Sequence, residues 1–134
     1  MARIAVIADI HGNMPALEAV LADLDRQQPD EVLVGGDLVG RGPQGSAVAH
    51  RIRSLGWQGV RGNHEDYLLE FRQGRVPAEW LDADEWAAPR WMAAELSSED
   101  EVFIGKLPFS ITSSIDARVR LVHGTPRSNN EGIG

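Results

Sequence analysis

Three times within its first 73 residues the chain passes from a short apolar run through a polar loop into a helix. Residues Arg3 to Ala8 (RIAVIA) are β-branched and apolar, which predicts a buried strand. The run stops at Asp9, and DIHGN reads as a loop. Pro15 suits the first turn of a helix, and Leu17, Val20, Leu21 and Leu24 follow on one helical face. Gln28-Pro29-Asp30 ends that helix. Glu31 to Val34 (EVLV) predicts a second buried strand, followed by the acidic loop GGDLVGRGPQG. Val48, Ile52 and Leu55 mark a second amphipathic helix, with Gly56 placed to cap it. Gln58 to Val60 predicts a short third strand that runs into RGNHE, with a helix over Asp66 to Gln73. This order implies an α/β fold: a parallel sheet with helical crossovers.

Ligands gather at the carboxyl ends of parallel strands. Asp9, Asp37 and Asn63 each follow a predicted strand, and adjacent strands bring them together. His11 stands two residues beyond Asp9. A buried strand has no use for an acid and an imidazole at its end unless something offsets their desolvation. Singly, each has an ordinary explanation: Asp9, Asp37 and Asn63 as turn residues, His11 as a loop histidine. Their recurrence at three strand ends is what asks for another.

The rest of the chain departs from the alternation. Val76 to Leu107 holds Trp80, Trp86 and Trp91 among many acids, and predicts helices over Asp84–Leu96 and Ser98–Lys106. Pro89 starts or kinks the first, and Ser98 with Glu101 fits a capping box. The tryptophans read as packing anchors; the sharper alternative is that their segment shields a cleft and shapes substrate choice. Phe109–Ser114 and Arg118–His123 predict a hairpin turning near Ile115-Asp116-Ala117. Its second strand ends in HGTP, again a polar cluster after an apolar run.

A length of 134 residues suggests a single domain, 1–134, with a modest core. A net charge of -7 makes nucleic acid an unlikely partner, since phosphate backbones recruit Lys and Arg. With no Cys there is no thiolate site, so a metal must be held by His, Asp, Glu or Asn. No apolar stretch approaches membrane-spanning length and no signal-like region opens the chain, so the expectation is a cytoplasmic protein with no membrane partner.

Asp9, His11, Asp37, Asn63 and His123 therefore form the candidate ligand set. Carboxylate, imidazole and amide oxygen together suit borderline-hard divalent ions such as Mn²⁺, Fe²⁺ or Zn²⁺. One Asp can bridge two ions, and two ions about 4 Å apart can clamp a phosphoryl group and generate a hydroxide nucleophile near neutral pH.

Read in order, Asp9-Ile10-His11, Gly36-Asp37 with Gly42-Pro43, Gly62-Asn63-His64-Glu65 and His123-Gly124 resemble the calcineurin-like metallophosphoesterases, most closely the small bacterial single-domain type. The resemblance implies a β-sandwich of mixed sheets flanked by helices, with the last part of the second sheet missing here. It implies metal-dependent hydrolysis of a phosphomonoester or phosphodiester by a metal-bound hydroxide. The cofactors would be two divalent ions, Mn first, with Fe, Zn or Ni as the other candidates. Asp9 and His11 would bind one ion, Asn63 and His123 the other, and Asp37 both. The catalytic pair would be His64, near the leaving group, and Arg41, on phosphate oxygens. The substrate would be a phosphorylated small molecule, a nucleotide or a phosphoprotein.

Two departures from the family pattern carry expectations. The Ser/Thr phosphatases place an Asp just before the Arg, where it orients the histidine of GNHE; here that position is Gly40. The late Gly-His-x-His motif is absent, and of four histidines only His50, on a predicted helix, is unassigned. Each ion is thus left with three protein groups. The alternative reading is a truncated metal- or phosphate-binding fragment without turnover, with an exposed sheet edge that invites self-association. A nucleotide-binding Rossmann module fits less well, because no GxGxxG follows the first strand.

Overall fold

The computed structural model describes residues 1–133. Strands β1 (Ile4–Ile7), β2 (Glu31–Val34) and β3 (Gln58–Gly59) lie side by side in that order, all parallel. Ile4 sits opposite Glu31 and Ile7 opposite Val34, so β1 and β2 end level with each other. Helices α1 (Met14–Gln27) and α2 (Gly45–Leu55) are the crossovers. Asn13 caps α1 by accepting from the Ala16 N–H at 3.1 Å, and Pro15 occupies the first turn. Gln28 ends α1 and Gly56 ends α2, both in the left-handed conformation.

The main core lies between the sheet and its helices. Val34 of β2 packs with Leu17 of α1 and with Val48, Ala49 and Ile52 of α2. The segment after β2, expected as a polar loop, runs through this core: Leu38 and Val39 are fully buried. Helix α3 (Asn63–Arg72) begins three residues earlier than the spacing predicts, because Gly62 takes an extended conformation and opens it directly after β3. Asn63 and His64 therefore stand on a helical turn rather than in a loop.

Two short 3-10 turns, Ala78–Leu81 and Asp84–Trp86, lead into α4 (Ala87–Glu95) and α5 (Ser98–Gly105). Pro89 lies in the first turn of α4, where its missing N–H has no intrahelical partner to lose. The cap of α5 is shifted by one residue from the expected Ser98–Glu101 box. Ser97 is the cap, accepting from the Asp100 N–H at 3.1 Å, while Glu101 pairs with Arg72 at 2.8 Å. Trp91 is not a packing anchor: Pro89, Met92, Ala93 and Leu96 form the buried face, and Trp91 falls off it, 49% exposed.

A hairpin of β4 (Ser110–Thr112) and β5 (Arg120–Val122) makes a second, antiparallel sheet, with Ile111 opposite Leu121. The Arg61 N–H donates to the Pro108 carbonyl at 2.9 Å and ties the exit of β3 to the entry of β4. β1 is an edge strand and not buried as its composition suggests: Val6 is 53% exposed, since α1 and α2 cover only part of the sheet. Among the described residues no helix is long and apolar enough to cross a membrane.

Glu31, at the start of β2, joins the two sheets. Its carboxylate accepts from the Ser113 hydroxyl, from the Ser114 N–H at 2.8 Å and from the Ser114 hydroxyl at 2.6 Å. These donors hold its pKa below the ordinary carboxylate value. A carboxylate with a depressed folded pKa contributes stability above its unfolded pKa and loses it as pH falls through the folded one. Glu31→Ala is expected to lower the melting temperature at pH 7, with the gap from the parent narrowing as pH drops below about 4.5, the ordinary value for Glu. Thermal melts of both proteins across pH 3 to 7 check this; a gap that does not change with pH contradicts it.

Candidate metal centre

The site is built from backbone first. Asp9, His11 and Asp37 all take left-handed conformations, with φ of 57°, 50° and 55°. Side chains other than glycine rarely adopt such angles, and holding them costs of order 1–3 kcal/mol each. A ladder between the two loops enforces them. The Asp9 N–H donates to the Gly36 carbonyl at 3.0 Å, His11 N–H to Asp37 at 2.9 Å, and Gly12 N–H to Leu38 at 2.8 Å. The pairing of β1 with β2 thus continues past the ends of both strands and carries the acids to one place.

Helix α3 closes the other side. Gly62 has no room for a side chain, because a Cβ there would overlap the Asp37 carboxylate. The closeness lets the His64 N–H donate to Asp37 Oδ1 at 3.0 Å. In the first turn of α3, Glu65 is fully buried and accepts from the Asp37 N–H at 3.0 Å and the Leu38 N–H at 2.6 Å. Burial pushes its pKa up to about 8, against the pull of those two donors. Glu65 is a residue the motif reading quoted without giving it a task. Its signal was an acid in the first turn of a helix that follows a buried strand.

The side-chain atoms that converge are nearly all acceptors. Asp37, only 3% exposed, places Oδ2 at 3.6 Å from His11 Nε2 and 3.4 Å from His123 Nε2. Asp9 Oδ1 lies 3.5 Å from His11 Nε2, and Asn63 Oδ1 lies 3.1 Å from His123 Nε2. The tautomers follow from the other ring nitrogens. His11 Nδ1 donates to the Val39 carbonyl at 3.2 Å and His123 Nδ1 to the Gly35 carbonyl at 2.7 Å, because a carbonyl can only accept. In a neutral imidazole each Nε2 is then a lone pair. The Asn63 amide nitrogen donates to Tyr67 Oη at 3.2 Å and Asn130 Oδ1 at 3.1 Å, which turns its oxygen toward His123. Lone pairs and carboxylates facing one another repel unless a proton or a metal cation lies among them. The donor set of imidazole, carboxylate and amide oxygen fits a borderline-hard divalent ion.

All five sequence-predicted ligands therefore meet, two of them beyond the strand edge on α3 and after β5. His64 stands beside them. His11, Asp37 and His64 offer atoms within 4.8 Å of one another, as do Asp9, Asp37 and His123. His64 Nδ1 is buried with no hydrogen-bond partner among the described residues. Burial lowers the His64 pKa, Asp37 opposes that, and the nearby His11 and Arg41 add to it. Gly40, at φ 117°, explains why no acid orients this ring from that position: a Cβ there would collide with the imidazole. Arg41 is exposed and, with His64, lines a cavity of about 490 Å³. His50 lies elsewhere, exposed on α2 beside Arg53. Tyr67 and Asn130, which orient Asn63, had no distinguishing motif in the sequence.

Residues 2–132 match the calcineurin-like phosphoesterase family, and the chain belongs to it. An uncharacterized protein of Methanocaldococcus jannaschii is 31% identical over 92% of this chain and 50% of its own length. A symmetrical bis(5'-nucleosyl)-tetraphosphatase of Psychromonas ingrahamii is 36% identical over 52% of this chain and 26% of its own length. The crystal structure of a metallophosphoesterase from Sphaerobacter thermophilus superposes with a TM-score of 0.78 at 31% identity, over 98% of this chain and 51% of that one. The chain thus spans about half, or less, of the length of the relatives it matches.

Removing Glu65 tests the support of the centre. Glu65→Ala leaves the buried N–H groups of Asp37 and Leu38 without acceptors, at about 1–3 kcal/mol each. The expected result is a loss of several kcal/mol in urea unfolding, with Glu65→Gln losing less because one acceptor remains. A Glu65→Ala protein as stable as the parent would contradict this role.

Proposed function

We propose that this chain is the metal-binding part of a hydrolase that cleaves a phosphoester with two divalent ions, Mn²⁺ first among them. The observation that carries the reading is the set of acceptor atoms around Asp37 Oδ2, which faces both the His11 and the His123 Nε2. Asp9 and His11 would hold one ion, Asn63 and His123 the other, and Asp37 both. Bound there, divalent ions supply charge for a phosphoryl group and a hydroxide nucleophile near neutral pH.

The remaining work falls to the chain's own groups. The carbonyls of Val39 and Gly35 orient the two imidazoles and fix the tautomer of the neutral rings, in which Nε2 carries the lone pair. Arg41 offers a planar fork to phosphate oxygens at the rim of the site. His64 adjoins Asp37 and lines the same cavity as Arg41, and would meet charge developing on the departing oxygen. The tetraphosphatase relatives favour a nucleotide as the phosphorylated small molecule. The second reading, metal or phosphate binding without turnover, rests on the ligand count: the set provides three protein groups per ion, one of them shared.

Asp37→Asn is expected to lower Mn²⁺ affinity by at least about tenfold, the scale on which even outlying contacts of metal ligands act. It should also abolish turnover of an activated phosphoester, while His64→Ala keeps the metals. Metal analysis and turnover measured on the same samples decide; a fully loaded, active Asp37→Asn protein would overturn the two-ion assignment. Metal uptake by the parent without turnover selects the second reading. Arg41→Ala should weaken inhibition by free phosphate about tenfold, the worth of one charged hydrogen bond, and leave metal content unchanged. Unchanged inhibition returns Arg41 to the solvent surface.

A further inference from the structure

We propose that the cavity beside His64 is a nucleobase pocket, with Trp86 as its specificity-determining wall. The inference rests on the reading of the Asp37 cluster as a phosphoester-hydrolysing site and adds where the rest of the substrate goes. His64 belongs to both places: it groups with His11 and Asp37, and it lines the cavity. A molecule with its phosphoryl group at the cluster therefore extends past His64 into this space. At about 490 Å³ the cavity is of the size that holds a small organic ligand, far more than a phosphate needs.

The lining matches a nucleotide. Arg41 supplies a cation for phosphate oxygens. Tyr67, Trp86, Ala88 and Pro89 supply flat and apolar surface, and Glu85 supplies an acceptor for an exocyclic amine or a ribose hydroxyl. The aromatic wall is built in advance. Trp86 stacks on Trp80 with centroids 3.6 Å apart and planes at 11°, and Tyr67 meets both rings edge-on. Arg90 donates to the carbonyls of Trp80 at 2.7 Å and Ala83 at 2.8 Å, which fixes the segment that carries the pair. A wall already ordered loses little entropy when a base packs on it. This arrangement also gives the tryptophans of the middle segment distinct tasks, with Trp80 as the support and Trp86 as the contact.

Binding of ADP and of pyrophosphate, in Mn²⁺, separates the base from the phosphates. The intact chain is expected to bind ADP about tenfold tighter than pyrophosphate, the scale of one base stacking on an aromatic ring. Trp86→Ala should bring the ratio close to one, and Trp86→Phe should restore most of it. Ala88→Trp fills the cavity from an exposed helical position while leaving Trp80 and Trp86 unchanged, and should reduce ADP binding selectively. Equal binding of ADP and pyrophosphate by the intact chain, or a preference that survives both Trp86→Ala and Ala88→Trp, overturns the pocket while leaving the phosphoesterase reading in place. Failure to bind either anion overturns both.

Discussion

Asp37 Oδ2 faces the Nε2 atoms of two imidazoles inside the protein, and the rest of the structure answers to that contact. With neutral rings and no cation these atoms repel, and burial makes the repulsion stronger, because little water screens it. With a cation the same atoms become a ligand set. The fold therefore spends stability holding together groups that do not attract one another, and that is the physical signature of a binding site. A core built for stability alone would place leucine or valine at such strand ends.

The surroundings show how the groups are held. The segment around Asp37 is clamped from three directions: by the ladder to residues 9–12, by the core packing of Leu38 and Val39, and by the Glu65 carboxyl group. Left-handed backbone at Asp9, His11 and Asp37 persists because these contacts over-determine it. Gly40 and Gly62 serve the same end by leaving room for the His64 ring and for the approach of α3 to Asp37. Rigid support of this kind keeps ligand atoms near a productive geometry before any ion arrives.

The parallel α/β core and the five candidate ligands were legible because they rest on periodicity and on position at strand ends. Asp9, Asp37 and Asn63 meet for the reason the strand order implies. What escaped the sequence depends on tertiary context. β1 reads as buried by composition, yet only packing from a second layer could bury Val6. Trp91 looked like Trp80 and Trp86, and only the helical phase set by Pro89, Met92 and Ala93 turns it outward. Glu65 was visible as part of a motif, but its bonds to two backbone N–H groups depend on how α3 docks. Asn130 reaches Asn63 across 67 residues, a distance no local pattern spans.

The central claim is that His11 and His123 present deprotonated Nε2 atoms to a shared cation at Asp37. Nitrogen-15 NMR of the histidine side chains during titration with Zn²⁺, a diamagnetic ion for the same donor set, reads this directly. The account predicts that both rings begin as the Nδ1–H tautomer and that both Nε2 signals shift on metal binding, while those of exposed His50 do not. Rings that keep an Nε2 proton at saturating Zn²⁺, or metal-induced shifts at His50 with none at His11 and His123, would contradict it.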